Sequence, residues 1–193
     1  MKVPFKSLAV PLCALLTGAA FGQSPAATTI SKTPGAFTFS YDAQHDQVIP
    51  NGVQIKPSAI GAVSFAPTTG TLSVTINIKT VSHFKKGTSY HCSLTAIGGE
   101  LDITNDVVSG GIETASGLAH STGANTLSCT LTIPYEWTLV ADPAAARGAI
   151  LAFGVAAVSP DGGAVERSTL QVDGVEPLPP SGSTSTFTFG VTL

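Results

Sequence analysis

Cys92 and Cys129, the histidines His45, His83, His91 and His120, and the carboxylate pairs Asp42/Asp46 and Asp102/Asp106 are the residues whose types and spacing could do chemistry. A blue-copper centre needs a free Cys, two His and commonly a Met. The only Met is Met1, and the two Cys are better used on each other. His83 and His91 would meet across a hairpin, which offers a weak two-His surface metal site at most. Solvated or hydrogen-bonded roles fit these scattered imidazoles better, and no residue is assigned to a metal.

Nucleophile signatures are missing: the sequence has neither G-x-S-x-G nor H-E-x-x-H. Ser116 and His120 in "SGLAHS" read as loop polarity and not as a dyad. Asp102 and Asp106 could be a glycosidase carboxylate pair, but one Trp and three Tyr supply little of the aromatic platform a sugar cleft uses. The same Asp102, Asn105 and Asp106, or Asp42 and Asp46, could hold Ca²⁺ through oxygen; the twelve-residue calcium-loop pattern is absent, and turns are the simpler reading. No Gly-rich loop joins a strand to a helix, so nucleotide binding is not indicated. Catalytic, cofactor-binding and metal residues are therefore all read as none, with no cofactor and no enzymatic activity expected.

The elements that must carry these residues are strands. "TLSVTINIK" sets Leu72, Val74, Ile76 and Ile78 against Ser73, Thr75, Asn77 and Lys79, the period of a half-buried strand. "YHCSLTA" sets Tyr90, Cys92, Leu94 and Ala96 against His91, Ser93 and Thr95. "TLSCTLTIPY", "GAFTFSYDA" and "STFTFGVTL" alternate in the same way, while Ala149–Val158 is apolar on both faces and reads as a central strand. Shorter strands are expected at 53–55, 62–65, 100–103 and 164–172. Turn signals fall at "PNG" 50–52, "PTTG" 67–70, "GG" 98–99, "SGG" 109–111, "TGAN" 122–125 and "PDGG" 160–163, the last joining a hairpin. "DPAAARG", 142–148, is the one plausible helical turn, with Asp142 as N-cap. Trp137, after Pro134-Tyr135-Glu136, is expected to close the end of a core.

Nine or ten short strands with turns between them imply an all-β fold, an antiparallel immunoglobulin-like β-sandwich. Both Cys share the parity of apolar neighbours, so both point inward, and a Cys92–Cys129 disulfide is expected. It would close a loop of about 38 residues and stabilise by about 3–4 kcal/mol. Tyr90 also stands two residues before Cys92, the spacing of the tyrosine corner in antibody domains. The remainder departs from that pattern: Trp137 follows both Cys, and Lys86 stands where Asp is usual. The likeness is one of architecture and not of family.

The start, "MKVPFKSLAVPLCALLTGAAFGQS", has a basic opening, an apolar run from Leu8 to Phe21 and small residues Ala20 and Gly22 before Gln23. That is the form of a secretory signal peptide. Cys13 lacks the small preceding residue that lipidation uses. The expected organisation is a signal peptide at 1–22, a flexible N-terminal arm at 23–34 and one sandwich domain at 35–193. No later segment could span a membrane as a helix. The net charge of −3 becomes two units more negative once Lys2 and Lys6 leave, and only 11% of residues are charged. Nucleic acid and anionic membranes suit such a chain poorly. The expectation is a secreted or periplasmic, non-enzymatic module with a structural or macromolecule-binding role, its partners other exported proteins or cell-surface components. A pilin-like subunit assembling by strand donation is the first alternative, motivated by the N-terminal arm and the alternating last strand. A small secreted hydrolase is the second.

Overall fold

The computed structural model describes residues 29–31, 37–55, 65–81, 83–102, 107–140, 147–161 and 163–193. Twelve strands occur among them: β1 (Thr29–Ser31), β2 (Thr38–Asp42), β3 (Gln47–Asn51), β4 (Gln54–Ile55), β5 (Phe65–Lys79), β6 (Ser89–Asp102), β7 (Val107–Leu118), β8 (His120–Gly123), β9 (Thr126–Val140), β10 (Arg147–Val158), β11 (Val165–Pro177) and β12 (Ser183–Thr192). The chain is all-β, with two sheets packed face to face. The larger sheet runs β1-β11-β10-β6-β7-β4 and the smaller β12-β5-β9-β8, while β2 and β3 form a separate hairpin. No helix among the described residues is long and apolar enough to cross a membrane.

The main core lies between the two sheets. Leu72, Val74, Ile76 and Ile78 of β5 and Cys129, Leu131 and Ile133 of β9 meet Cys92, Leu94 and Ala96 of β6 and Leu151, Phe153 and Val155 of β10. These are the inward sets that period-2 alternation picks out. A second core covers the other face of the larger sheet. Phe37, Phe39, Tyr41 and Val48 of the hairpin region pack on Ile97, Ile150, Ala152, Ala156, Leu170 and Val172. Strand β10, flanked by β11 and β6, therefore sends alternate residues into two cores. This is the physical reason its sequence is apolar on both faces.

Several turn signals lie inside strands. "PTTG" belongs to β5, "GG" to β6 and "SGG" to β7. Gly98 and Gly111 stand directly opposite across the β6–β7 ladder. A Cβ on either one would overlap the indole of Trp137, which comes from β9 in the facing sheet. The glycines thus form a notch rather than a bend. Trp137 fills it, only 3% exposed, stacked on Tyr135 with ring centroids 4.2 Å apart. The hairpin expected at "PDGG" does join β10 to β11, and "TGAN" turns β8 into β9 with Asn125 at φ 59°. Of the helical turn expected at 142–148, Arg147 and Gly148 are instead the first residues of β10, paired with Glu100 and Gly99; residues 142–146 and the strand start at 62–64 lie outside the described residues, as do the leader and most of the arm. Within the arm, Thr29–Ser31 pairs parallel with β11.

The last strand belongs to the smaller sheet. β12 runs parallel to β5 in unbroken register from Ser183 opposite Gly70 to Thr192 opposite Lys79. Its inward residues Val191 and Leu193 are buried, and Phe187 and Phe189 are half-buried against the main core.

Candidate functional site

The polar side of β6 does not face solvent. His91, Ser93, Thr95 and Ile97 share the face that the β2–β3 hairpin covers. Period 2 separates the two faces of β6 correctly but cannot show that both are covered. Each covered polar group must then find a partner or carry a desolvation cost. Thr95 Oγ1 donates to the carbonyl of Val48 at 2.6 Å. His91 Nδ1 lies 2.7 Å from Asp46 Oδ2, and Ser89 Oγ lies 2.9 Å from His91 Nε2. Asp46, His91 and Ser89 therefore form one hydrogen-bonded chain, with the two charged-type side chains about a quarter exposed (28% and 26%).

The turn that aims Asp46 is built by its own residues. Asp42 Oδ1 accepts from the backbone N–H of Gln44 and of His45, at 3.1 and 3.2 Å. Asp42 Oδ2 takes His45 Nδ1 at 2.6 Å, and that bond, with the backbone donors, holds the Asp42 carboxyl below its usual range. Asp46 then adopts φ 51°, a left-handed conformation that Asp tolerates better than most residues. Beside the chain, the ring of Tyr41 lies on Gly154 of β10, where a Cβ would collide with it. Burial, more than the nearby Asp46, raises its phenol well above the ordinary range. Ser93 lies against that phenol, but neither hydroxyl meets full hydrogen-bond geometry with another atom of the described residues.

Asp–His–Ser is the order of an acyl-transfer relay, in which the carboxylate orients the imidazole and the imidazole takes the serine proton. The backbone around Ser89 opposes that use. Tyr90 sends its carbonyl toward the β7 side, accepting from Ala119 N–H at 2.9 Å. Backbone polar groups alternate sides along a strand, so those of Ser89 face β10, where Ser89 pairs with Val158. The N–H beside the would-be nucleophile is thus turned into the ladder and not toward a substrate oxygen. The Val158 carbonyl, an acceptor, also stands 3.5 Å from Ser89 Oγ. A developing oxyanion there would meet a negative dipole. The arrangement is suited to holding the hairpin turn on β6.

The residues singled out in the sequence separate as follows. Cys92 on β6 and Cys129 on β9 are both buried and face each other between the sheets, sulfurs 2.9 Å apart as free thiols. In this state the contact with Cys129, followed by burial, pushes the Cys92 thiol up. Ser116 stands opposite Ser93 on β7, whereas His120 stands opposite Ser128 in the other sheet, because the chain changes sheets at Ala119. His83 is exposed in the β5–β6 connection, and His91 meets Asp46 instead. Asp42 and Asp46 each hold an imidazole and do not converge on a cation position. Among the described residues, no three His, Cys, Asp or Glu side chains group as metal ligands. Asn105 and Asp106 lie outside the described residues.

Sequence reasoning missed the Asp46–His91–Ser89 chain. Its signal was present: Ser89 and His91 share one face two residues apart, and "DAQHD" carries two carboxylates on a tight turn. What could not be read was that the turn, 45 residues upstream, folds over that face. No protein-family model matches the sequence, and no curated protein or solved structure is significantly similar to it.

Proposed function

We propose that this chain is an exported, non-enzymatic immunoglobulin-like β-sandwich module with a structural or macromolecule-binding role at the cell surface or in the periplasm. Export rests on the leader pattern of residues 1–22 and on two buried sulfurs placed to bond across the sandwich in an oxidising compartment. The observation that carries the binding role is the edge of the smaller sheet. β12 is ten residues long, and among the described residues no strand lies on its outer side. Such an edge is a template for adding a strand from another chain.

The pilin-like reading draws on the same edge. It has less support because β12 already occupies the place beside β5 that a donated strand would fill. The hydrolase reading draws on Ser89, His91 and Asp46, and the orientation of the Ser89 backbone weighs against it.

Cell fractionation combined with an activity probe tests the proposal. The expected result is a mature chain beginning at Gln23, recovered outside the cytoplasm and associated with the envelope. Ester substrates and fluorophosphonate probes should give the same background with Ser89→Ala as with the parent. Full-length protein held in the cytoplasm, or ester turnover that Ser89→Ala abolishes, would overturn the reading.

A further inference from the structure

We propose that β12 is a self-recognition strand: two copies of this chain pair β12 to β12, antiparallel, about a two-fold axis through Thr188. This rests on the reading of that edge as a binding surface and names its occupant.

Natural sheets blunt their edges with short strands, bulges, prolines or charges. The other edge strands of the two sheets follow that rule. Among the described residues β1 has three residues, β4 has two, and β8 has four with a register shift between Ser121 and Gly123. On that side the sandwich is closed by β7 packing against β9. β12, "STSTFTFGVT", has none of these devices: no charge, no Pro and no bulge over ten residues. Inward of it, Phe187 and Phe189 are only half-buried. Phe189 stacks on Phe153 with centroids 4.9 Å apart, and Phe187 lies 6.5 Å from Phe189 in a parallel plane. The main core is therefore left partly open along this edge.

Backbone direction selects the register. Leu193 N–H donates to the Lys79 carbonyl at 2.9 Å, toward β5. By alternation Val191, Phe189, Phe187 and Ser185 also turn their polar groups to β5, leaving those of Thr184, Thr186, Thr188, Gly190 and Thr192 on the free side. An antiparallel pair centred on Thr188 places Thr188 opposite itself, Thr186 opposite Gly190 and Thr184 opposite Thr192. Every one of these residues turns its backbone groups outward, where no strand lies among the described residues, so each pair can exchange two hydrogen bonds. The same register sets Phe187 opposite Phe189 of the second copy in non-hydrogen-bonded positions, where side chains approach most closely and aromatic pairs contribute. Ser185 falls opposite Val191. The strand is thus close to palindromic in type, and its lack of charge leaves nothing to repel a copy. These features favour a second copy over an unrelated strand, and a two-fold pair closes on itself.

Sedimentation velocity of the mature protein over a concentration series is the test, with circular dichroism as the control for folding. The parent should show a monomer–dimer equilibrium. Thr188→Lys places two ammonium groups opposite each other on the axis and should weaken dimerisation about fivefold or more. Thr188→Glu should do the same. Mixed one to one, the two variants should recover a heterodimer at least as tight as the parent, since the axial pair then attracts. A parent that stays monomeric at the highest soluble concentration would overturn self-pairing, as would a dimer indifferent to both substitutions or two variants that fail to combine. A monomeric parent still exported and envelope-associated would overturn the pairing alone and leave the module reading standing.

Discussion

His91 Nδ1 lies 2.7 Å from Asp46 Oδ2, and this contact joins the β2–β3 turn to the first residues of β6 across 45 positions of sequence. Its neighbours on the same face are Thr95, bonded to the Val48 carbonyl, and Tyr41, buried on Gly154. The hairpin is held by apolar burial beneath its middle and by directed polar contacts at its turn. Removing the carboxylate should therefore loosen the turn without unfolding the main sandwich.

Asp46→Ala is expected to cost about 2 kcal/mol, because it deletes a half-buried charge-assisted bond and places Ala at a left-handed φ. Asp46→Asn should cost less, since Asn tolerates that conformation and keeps an acceptor for His91. Urea unfolding of both variants measures the order. Equal losses would show that neither the conformation nor the retained acceptor matters.

The Gly98–Gly111 notch predicts a coupled pair of core effects. Gly98→Ala forces a methyl into the indole of Trp137 and should cost about 1–3 kcal/mol, the usual range for overpacking. Trp137→Phe alone should also destabilise, by leaving space in the notch. In the double variant the smaller ring makes room for the methyl, so the combined loss should fall below the sum. Additive losses in urea would mean that Gly98 and Trp137 do not share the space.

These two sites mark what the sequence could and could not disclose. Alternation located the cores of β5, β6, β9 and β12, because inward residues of a strand must recur every second position, and β10 showed itself instead as a run apolar on both faces. It also placed Cys92 and Cys129 inward. The glycine pairs at 98–99 and 110–111 were misread as turns, since composition does not distinguish a bend from a notch cut for a ring in the opposite sheet. His91, Ser93 and Thr95 looked like a solvent face because their cover, the β2–β3 hairpin, is a tertiary contact that local pattern does not encode.

The cysteine geometry yields a third prediction. Cys92 and Cys129 face each other from the two sheets, and protein recovered from an oxidising compartment should carry them bonded. Denatured without reductant, that protein should take up no thiol reagent; with reductant it should take up two equivalents. Cys129→Ser should lower stability by about 3–4 kcal/mol relative to the bonded form. Labelling of both thiols before reduction would show that the sandwich holds them as a dithiol.

The last prediction concerns what β12 contributes to its own chain. Its ladder with β5 is unbroken, and Leu193 extends it with a clasp: its N–H donates to the Lys79 carbonyl and its carbonyl accepts from Val81 N–H at 2.8 Å. Val191 and Leu193 are buried, and Phe189 stacks on Phe153 from the larger sheet. Phe189→Ala should cost about 2–3 kcal/mol, somewhat below the loss typical of a fully buried Phe, because the ring is half-exposed at the edge. Truncation after Ser185 removes both Phe along with Val191 and Leu193. At about 25 cal/mol per Å² of apolar surface, that loss amounts to several kcal/mol, comparable to the whole margin of a domain this size. The truncated chain should lose its cooperative thermal transition, while Thr188→Lys, on the outer face of the same strand, should keep it. If the truncated chain melts as cooperatively and at the same temperature as the parent, β12 is not part of the core, and strand donation becomes the stronger reading of this edge.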